Sequence, residues 1–204
     1  MHIAVAGNIG SGKTTLTTML AKHYGWEPMY ESVENNPYLA SFYEDMQRWS
    51  FNIQVYFLNS RFRQVVELRK KKKDVIQDRT IYEDAYIFAP NLHDMQLMPT
   101  RDFDNYISLF ELMSQFLEFP DLLIYLKADI PTLVAQINKR GRDYETTIRM
   151  DSLQHMNEKS AARIAKYPGK LLVIDVNTIK FAERAEDFGI VIDKINAELF
   201  GLFK

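Results

Sequence analysis

The stretch Ala6-Gly7-Asn8-Ile9-Gly10-Ser11-Gly12-Lys13-Thr14-Thr15-Leu16 follows a short apolar run, His2 to Ala6, that reads as a strand. It leads into a helical pattern that starts at Lys13. Gly7 through Thr14 fit G-x-x-x-x-G-K-[ST]. Glycines at those positions let the backbone curl until successive N–H groups converge, and a helix starting at Lys13 adds its positive dipole end. Such a loop cradles phosphate. The expected phosphate-binding residues are Gly7, Asn8, Ile9, Gly10, Ser11, Gly12, Lys13, Thr14 and Thr15. Lys13 is expected on the outer phosphates and the Thr14 hydroxyl on Mg2+. The competing reading, a Gly-rich turn that happens to contain Lys-Thr, is countered by the strand before it and the helix after it.

Outward from this loop the chain alternates strands and helices. "HIAVA", "EPMY", "DVIQD", "LLIYLKA" and "KLLVIDV" read as five strands. Helical patterns start at Lys13 and at about Trp49, the latter running into "RFRQVVELRKKKK". Further ones cover Ile81 to Leu92, Phe103 to Phe119, Pro131 to Lys139, Met150 to Tyr167 and roughly Ala185 to Phe200. Strands apolar on both faces, alternating with helices, predict a three-layer α/β/α fold of the P-loop NTPase type. Its core would be a five-stranded parallel sheet flanked by helices. Ligands then collect at the carboxyl ends of the strands, where the Gly-rich loop lies.

The chain-wide figures narrow the function. At 204 residues, residues 1–204 form one expected domain, and 47% hydrophobic content supplies a core. A net charge of -2 gives no pull toward nucleic acid or anionic membrane. With no cysteine there is no disulfide, zinc thiolate or cysteine nucleophile. No signal peptide and no bilayer-length apolar run is visible, so the expected location is the cytoplasm. The Arg69–Lys73 charge run reads as a solvated helix end, and the four histidines show no metal-ligand spacing.

Four stretches decide what happens to the bound phosphate. "NKRG" at Asn138–Gly141 breaks the base-reading N-K-x-D of GTPases at its Asp. "YESVENNPYL" puts Glu31 at a strand end, where a carboxylate can take a proton from an attacking hydroxyl. "DVIQDRTIYEDAYIFA" ends a strand in Asp78-Arg79. Asp78 suits Mg2+, Arg79 suits a phosphate or the sugar 5′ oxygen, and Asp84 and Phe88 share a helix face at i, i+4. "NKRGRDYE" sets Arg140 and Arg142 around Gly141, which reads as a lid near residues 139–146 over a transferring phosphate. The plainer readings are an acidic loop residue for Glu31, core packing for Phe88 and a basic helix end for the arginines.

Taken in order, the phosphate loop, Glu31, "RWSFNIQVYFLNSR", "DRTIYEDAYIFA" and "RGRDYE" resemble the deoxynucleoside kinase family over almost the whole length. "NNPYL" and "YFLNSRF" look most like its bacterial purine-preferring branch. The resemblance implies ATP as donor, a deoxynucleoside as acceptor, Mg2+ and a homodimer, with no nucleic acid or membrane partner. It implies Glu31 as general base, Arg79 beside the 5′ oxygen and Gln54 on the base. Arg61 and Asp84 become a base-contacting ion pair, Tyr43 and Glu145 the 3′-OH pair, Phe88 the stacking ring, and Arg140 and Arg142 the lid. Asp78 stands where the family more often has Glu. Ser32 and Asn36 replace a proline and a tryptophan common in relatives, and a smaller Asn36 suggests a wider pocket. A buried Gln donates and accepts at once, matching adenine or cytosine, so deoxyadenosine is expected first, with deoxyguanosine and deoxycytidine behind. A nucleoside monophosphate kinase or a P-loop regulatory ATPase are the alternative readings.

Overall fold

The computed structural model describes residues 1–31, 36–71, 73–142 and 149–201. Five parallel strands form one sheet in the order β2-β3-β1-β4-β5. They are β1 (His2–Gly7), β2 (Glu27–Met29), β3 (Val75–Asp78), β4 (Leu122–Lys127) and β5 (Leu171–Asp175). β1 is central, with Val5 opposite both Asp78 and Ile124. Its side chains alternate between two buried layers. Ile3 and Val5 join Leu16 and Leu20 of α1 (Lys13–Tyr24), while Ala4 and Ala6 face Leu123, Tyr125 and Tyr167. Fully burying side chains such as Leu16 and Leu20 stabilises by about 1.5–3 kcal/mol each. From β3 the chain crosses to the far side of β1. That change of direction opens the crevice at the strands' carboxyl ends.

The remaining helices are α2 (Leu39–Glu44), α3 (Met46–Lys71), α4 (Ile81–Glu83), α5 (Ala89–Asp94), α6 (Thr100–Ser114), α7 (Ile130–Arg140), α8 (Met150–Ile164) and α9 (Ala185–Phe200). A second apolar cluster joins Leu58 of α3, Ile81, Ala85, Ala89 and Tyr106 and Phe110 of α6. It fixes the helices that wall one side of the crevice.

Two sequence expectations change. α2 has no counterpart in the pattern reading; it is six residues long and none of its side chains is fully buried. The helix expected from Ile81 to Leu92 is interrupted by a π turn, Asp84–Phe88, with Ala89 N–H bonding to the Asp84 carbonyl. Pro90 supplies the reason. It has no N–H for the Tyr86 carbonyl and its ring would collide there, so the helix widens just before it.

Candidate active site

The crevice is a cavity of about 1010 Å³ into which the loops after β1, β2 and β3 all turn. Of the phosphate-loop residues, Ile9, Gly10, Gly12, Lys13, Thr14 and Thr15 line it. Gly7, Asn8 and Ser11 lie beneath and shape the loop. The Asn8 Nδ2 donates to the Leu153 carbonyl at 3.0 Å, and its Oδ1 accepts from Ile9 N–H at 2.8 Å. Gly7 has φ +146, and a Cβ there would stand 2.9 Å from the Leu126 carbonyl oxygen. Only glycine fits that turn. Lys13 is buried, and its Nζ donates to the Asn8 carbonyl at 2.8 Å. Burial, then the neighbouring Arg79, lowers the Lys13 pKa to about 8 against the pull of Asp78.

Thr14 and Asp78 meet across the β1–β3 pair. The Thr14 Oγ1 donates to Asp78 Oδ2 at 2.5 Å, and Asp78 Oδ1 is buried with no hydrogen-bond partner among the described residues. Arg79 follows with φ +69, a left-handed conformation rare outside glycine and the kind of strain found at functional sites. Its guanidinium stacks over the Phe88 ring, 4.2 Å from the centroid.

Glu31 reaches the same point from the end of β2. Its Oε1 accepts from Arg61 Nη2 at 2.6 Å and stands 3.8 Å from Arg79 Nε. Burial would raise its carboxyl, but Arg79, then Arg61 and Lys13, bring it down to about 2. Arg61 in turn bonds Asp84 through its Nε, and both side chains are 2% exposed. Burial lowers the Arg61 pKa, but Asp84 first and Glu31 second raise it above its ordinary value. The guanidinium also donates at 3.4 Å to the Asp78 and Arg79 carbonyls. One cation on α3 therefore ties together the loops after β2 and β3 and the π turn.

Gln54, seven residues before Arg61 on the same face of α3, lines the cavity. Its buried Oε1 has no partner among the described residues. Tyr43, Asp84 and Phe88 line it too, as do Arg140 and Arg142. α7 closes on Gly141 at φ 64, the turn that brings both arginines to the rim. Glu145 lies outside the described residues, as does Ser32. Asn36 does not line the cavity; its Oδ1 accepts from Tyr38 N–H at 2.9 Å, ahead of α2. Asn91, Met95 and Leu97, absent from the sequence reading, also line the wall. Their signal was the face continuing past Phe88 through 91, 92 and 95.

The chain matches the deoxynucleoside kinase family profile over residues 3–200. It is 44% identical over 145 residues to a deoxyadenosine/deoxycytidine kinase of Bacillus subtilis (strain 168), covering 70% of this chain and 67% of that one. It is 37% identical over 205 residues to a deoxyguanosine kinase of Lactobacillus acidophilus, covering 95% and 88%. Deoxyadenosine kinase from M. mycoides, solved with the products dCMP and a flexible dCDP, has a TM-score of 0.86 at 28% identity, covering 97% of this chain and 100% of that one. The same enzyme has been solved with bound dATP. The profile match across nearly the whole length, on top of the five-stranded parallel sheet, shows that the chain belongs to the deoxynucleoside kinase family.

Proposed function

We propose that this enzyme moves the γ-phosphoryl of ATP to the 5′-hydroxyl of deoxyadenosine, with deoxyguanosine or deoxycytidine as further acceptors. The observation that carries the reading is the Glu31 carboxylate, 2.6 Å from Arg61 and 3.8 Å from Arg79 in the cavity that also holds Lys13. An acceptor bearing its own phosphate would need a cationic site where Glu31 stands; a neutral sugar hydroxyl suits Glu31.

Lys13 and the loop amides hold the donor phosphates. Glu31 receives the acceptor's 5′-OH. At a pKa of about 2 it is fully ionised yet a weak base, so it orients the hydroxyl and takes the proton late, once the bond to phosphorus has begun to form. Arg79, 3.8 Å from that carboxylate, offsets charge on the moving phosphoryl, joined by Arg140 and Arg142 from the rim. Gln54, Phe88 and the Arg61–Asp84 pair fix the base, and Tyr43 with Glu145 the 3′-OH. Catalysis by such a site is mostly positioning and electrostatics.

Thr14 and Asp78 fit a Mg2+ ion that arrives with ATP. A hydroxyl and a carboxylate already lie within one hydrogen bond, and a buried Asp78 oxygen has no partner among the described residues. Among the described residues no three His, Cys, Asp or Glu side chains gather for a metal; Thr14 and Asp78 would hold the ion together with the donor's phosphates. The ion would neutralise charge between the phosphates.

Gln54 supports a base with an amine beside a ring-nitrogen acceptor, since its amide pairs a donor and an acceptor with adenine N1 and its amine, or cytosine N3 and its amine. The whole chain acts as one domain, in the cytoplasm, where ATP and free deoxynucleosides meet. A homodimer is proposed through Leu109, Leu112 and Phe116, exposed at 38, 57 and 58% in the α6 region. The test is transfer from labelled ATP to the four deoxynucleosides, with dTMP beside them. Monophosphate product ranked dA first supports the proposal, and transfer to dTMP alone overturns it.

A further inference from the structure

Glu83 lines none of the large cavity. It is 6% exposed and borders a separate small void with Ala6, Gly7, Thr80, Leu123 and Tyr125. Its carboxylate accepts two backbone amides from two different loops. Gly7 N–H donates to Oε1 at 3.2 Å, and Thr80 N–H donates to Oε2 at 2.9 Å. The second bond belongs to an ordinary helix-start box, in which the Thr80 side chain reciprocates to the Glu83 backbone. The first does not. Nothing in capping a helix calls for an oxygen on the opening residue of the phosphate loop.

The two amides lie where the backbone most needs holding. Gly7 turns at φ +146, and Arg79, the residue before Thr80, is left-handed at φ 69. Such a non-glycine residue persists only when its surroundings over-determine it. Arg79 N–H is taken by the Val5 carbonyl of β1 at 2.9 Å, and the next amide by Glu83. The Arg79 turn is thus clamped from β1 on one side and from Glu83 on the other, and Glu83 extends the clamp to Gly7. We infer that Glu83 is a positioning residue that locks the phosphate loop to the Arg79 turn, and so sets the spacing between Lys13 and Arg79. An amide in its place offers a single oxygen for two N–H donors and turns its own NH2 toward one of them.

The inference rests on the assignment of Lys13 and Arg79 to the two sides of the transfer. The test compares the parent chain, E83Q and L123A; the last opens the same void from β4 without removing a hydrogen bond. E83Q is expected to lose about 10- to 100-fold in kcat, the effect of a small misplacement of reacting groups. KM for ATP and for deoxyadenosine should stay within about threefold, since neither is touched. L123A, matched for thermal midpoint, should keep the parent kcat. A parent-like kcat in E83Q overturns the inference, and so does an equal kcat loss in L123A, because loosening alone would then suffice. If E83Q does not fold, E83D keeps both acceptor oxygens on a shorter stem and must show the same kcat-selective loss; a parent-like kcat there also overturns it. A parent chain without acceptor-dependent transfer sinks the kinase reading and this inference together, whereas an active parent with an indifferent E83Q sinks only this one.

Discussion

Arg61 and Glu31, from the middle of α3 and the end of β2, are joined by a 2.6 Å bond from Nη2 to Oε1, while the other side of the same guanidinium holds Asp84. A single buried cation thus orients the carboxylate nearest the proposed chemistry and the carboxylate nearest the proposed base. Its loss should be felt in both stability and turnover. Arg61→Met leaves Asp84 buried without its partner, and removing one member of such a pair lowers stability by about 3–5 kcal/mol. Chemical denaturation checks this. A shift under about 1 kcal/mol would mean that solvent reaches Asp84 freely.

Glu31→Gln keeps the shape and removes the charge. We expect kcat to fall by about 10²- to 10⁴-fold, the range for a general base. ATP affinity, measured by calorimetry, should hold. Turnover close to the parent's would remove Glu31 from the proton's path.

The pH profile has a predicted sign on each side. The Lys13 ammonium, lowered by burial to about 8, loses its proton above that pH and with it its hold on phosphate. kcat/KM for ATP should therefore decline above about pH 8, by tenfold per unit at the limit. Glu31 stays ionised down to about pH 2, so it contributes no acid limb between pH 8 and pH 5. A rate that keeps rising past pH 9.5, or that is halved by pH 6 and restored in Glu31→Gln, contradicts these assignments.

Chelating divalent metal should abolish transfer, and Asp78→Asn should raise the Mg2+ concentration needed for half-maximal rate by about tenfold, the usual scale for weakening a metal site. A titration at fixed ATP reads this directly. An unchanged midpoint would leave Asp78 with only its bond to Thr14.

Gln54→Ala should flatten the ranking of acceptors, because an unpaired base edge costs about 1–3 kcal/mol. Relative kcat/KM for deoxyadenosine and thymidine is the readout. A preserved ratio would move base recognition to Asn91, Met95 and Leu97.

Much of this was legible in one dimension. The phosphate loop, the five strands and the "DRT" turn are local: each depends on residues adjacent in the chain, and β1 announces itself because both its faces are buried. α2 and the π turn were not; six residues are too few for a helical period to stand out from its surroundings. The π turn depends on where a proline meets the packing of Ala85 and Ala89 against α3 and α6.

The sequence alone determined the fold class, the phosphate loop and the identity of the charged residues, because glycine geometry and strand-helix alternation act over a few residues at a time. Only the tertiary structure decided which carboxylates share Arg61, that Thr14 finds Asp78 across 64 residues, and that Glu83 faces backbone amides rather than substrate. The reason is physical. Buried charges and amides must be satisfied by whatever partners the packed sheet brings within hydrogen-bond reach, and that choice is made by strand order, which no short stretch of sequence encodes.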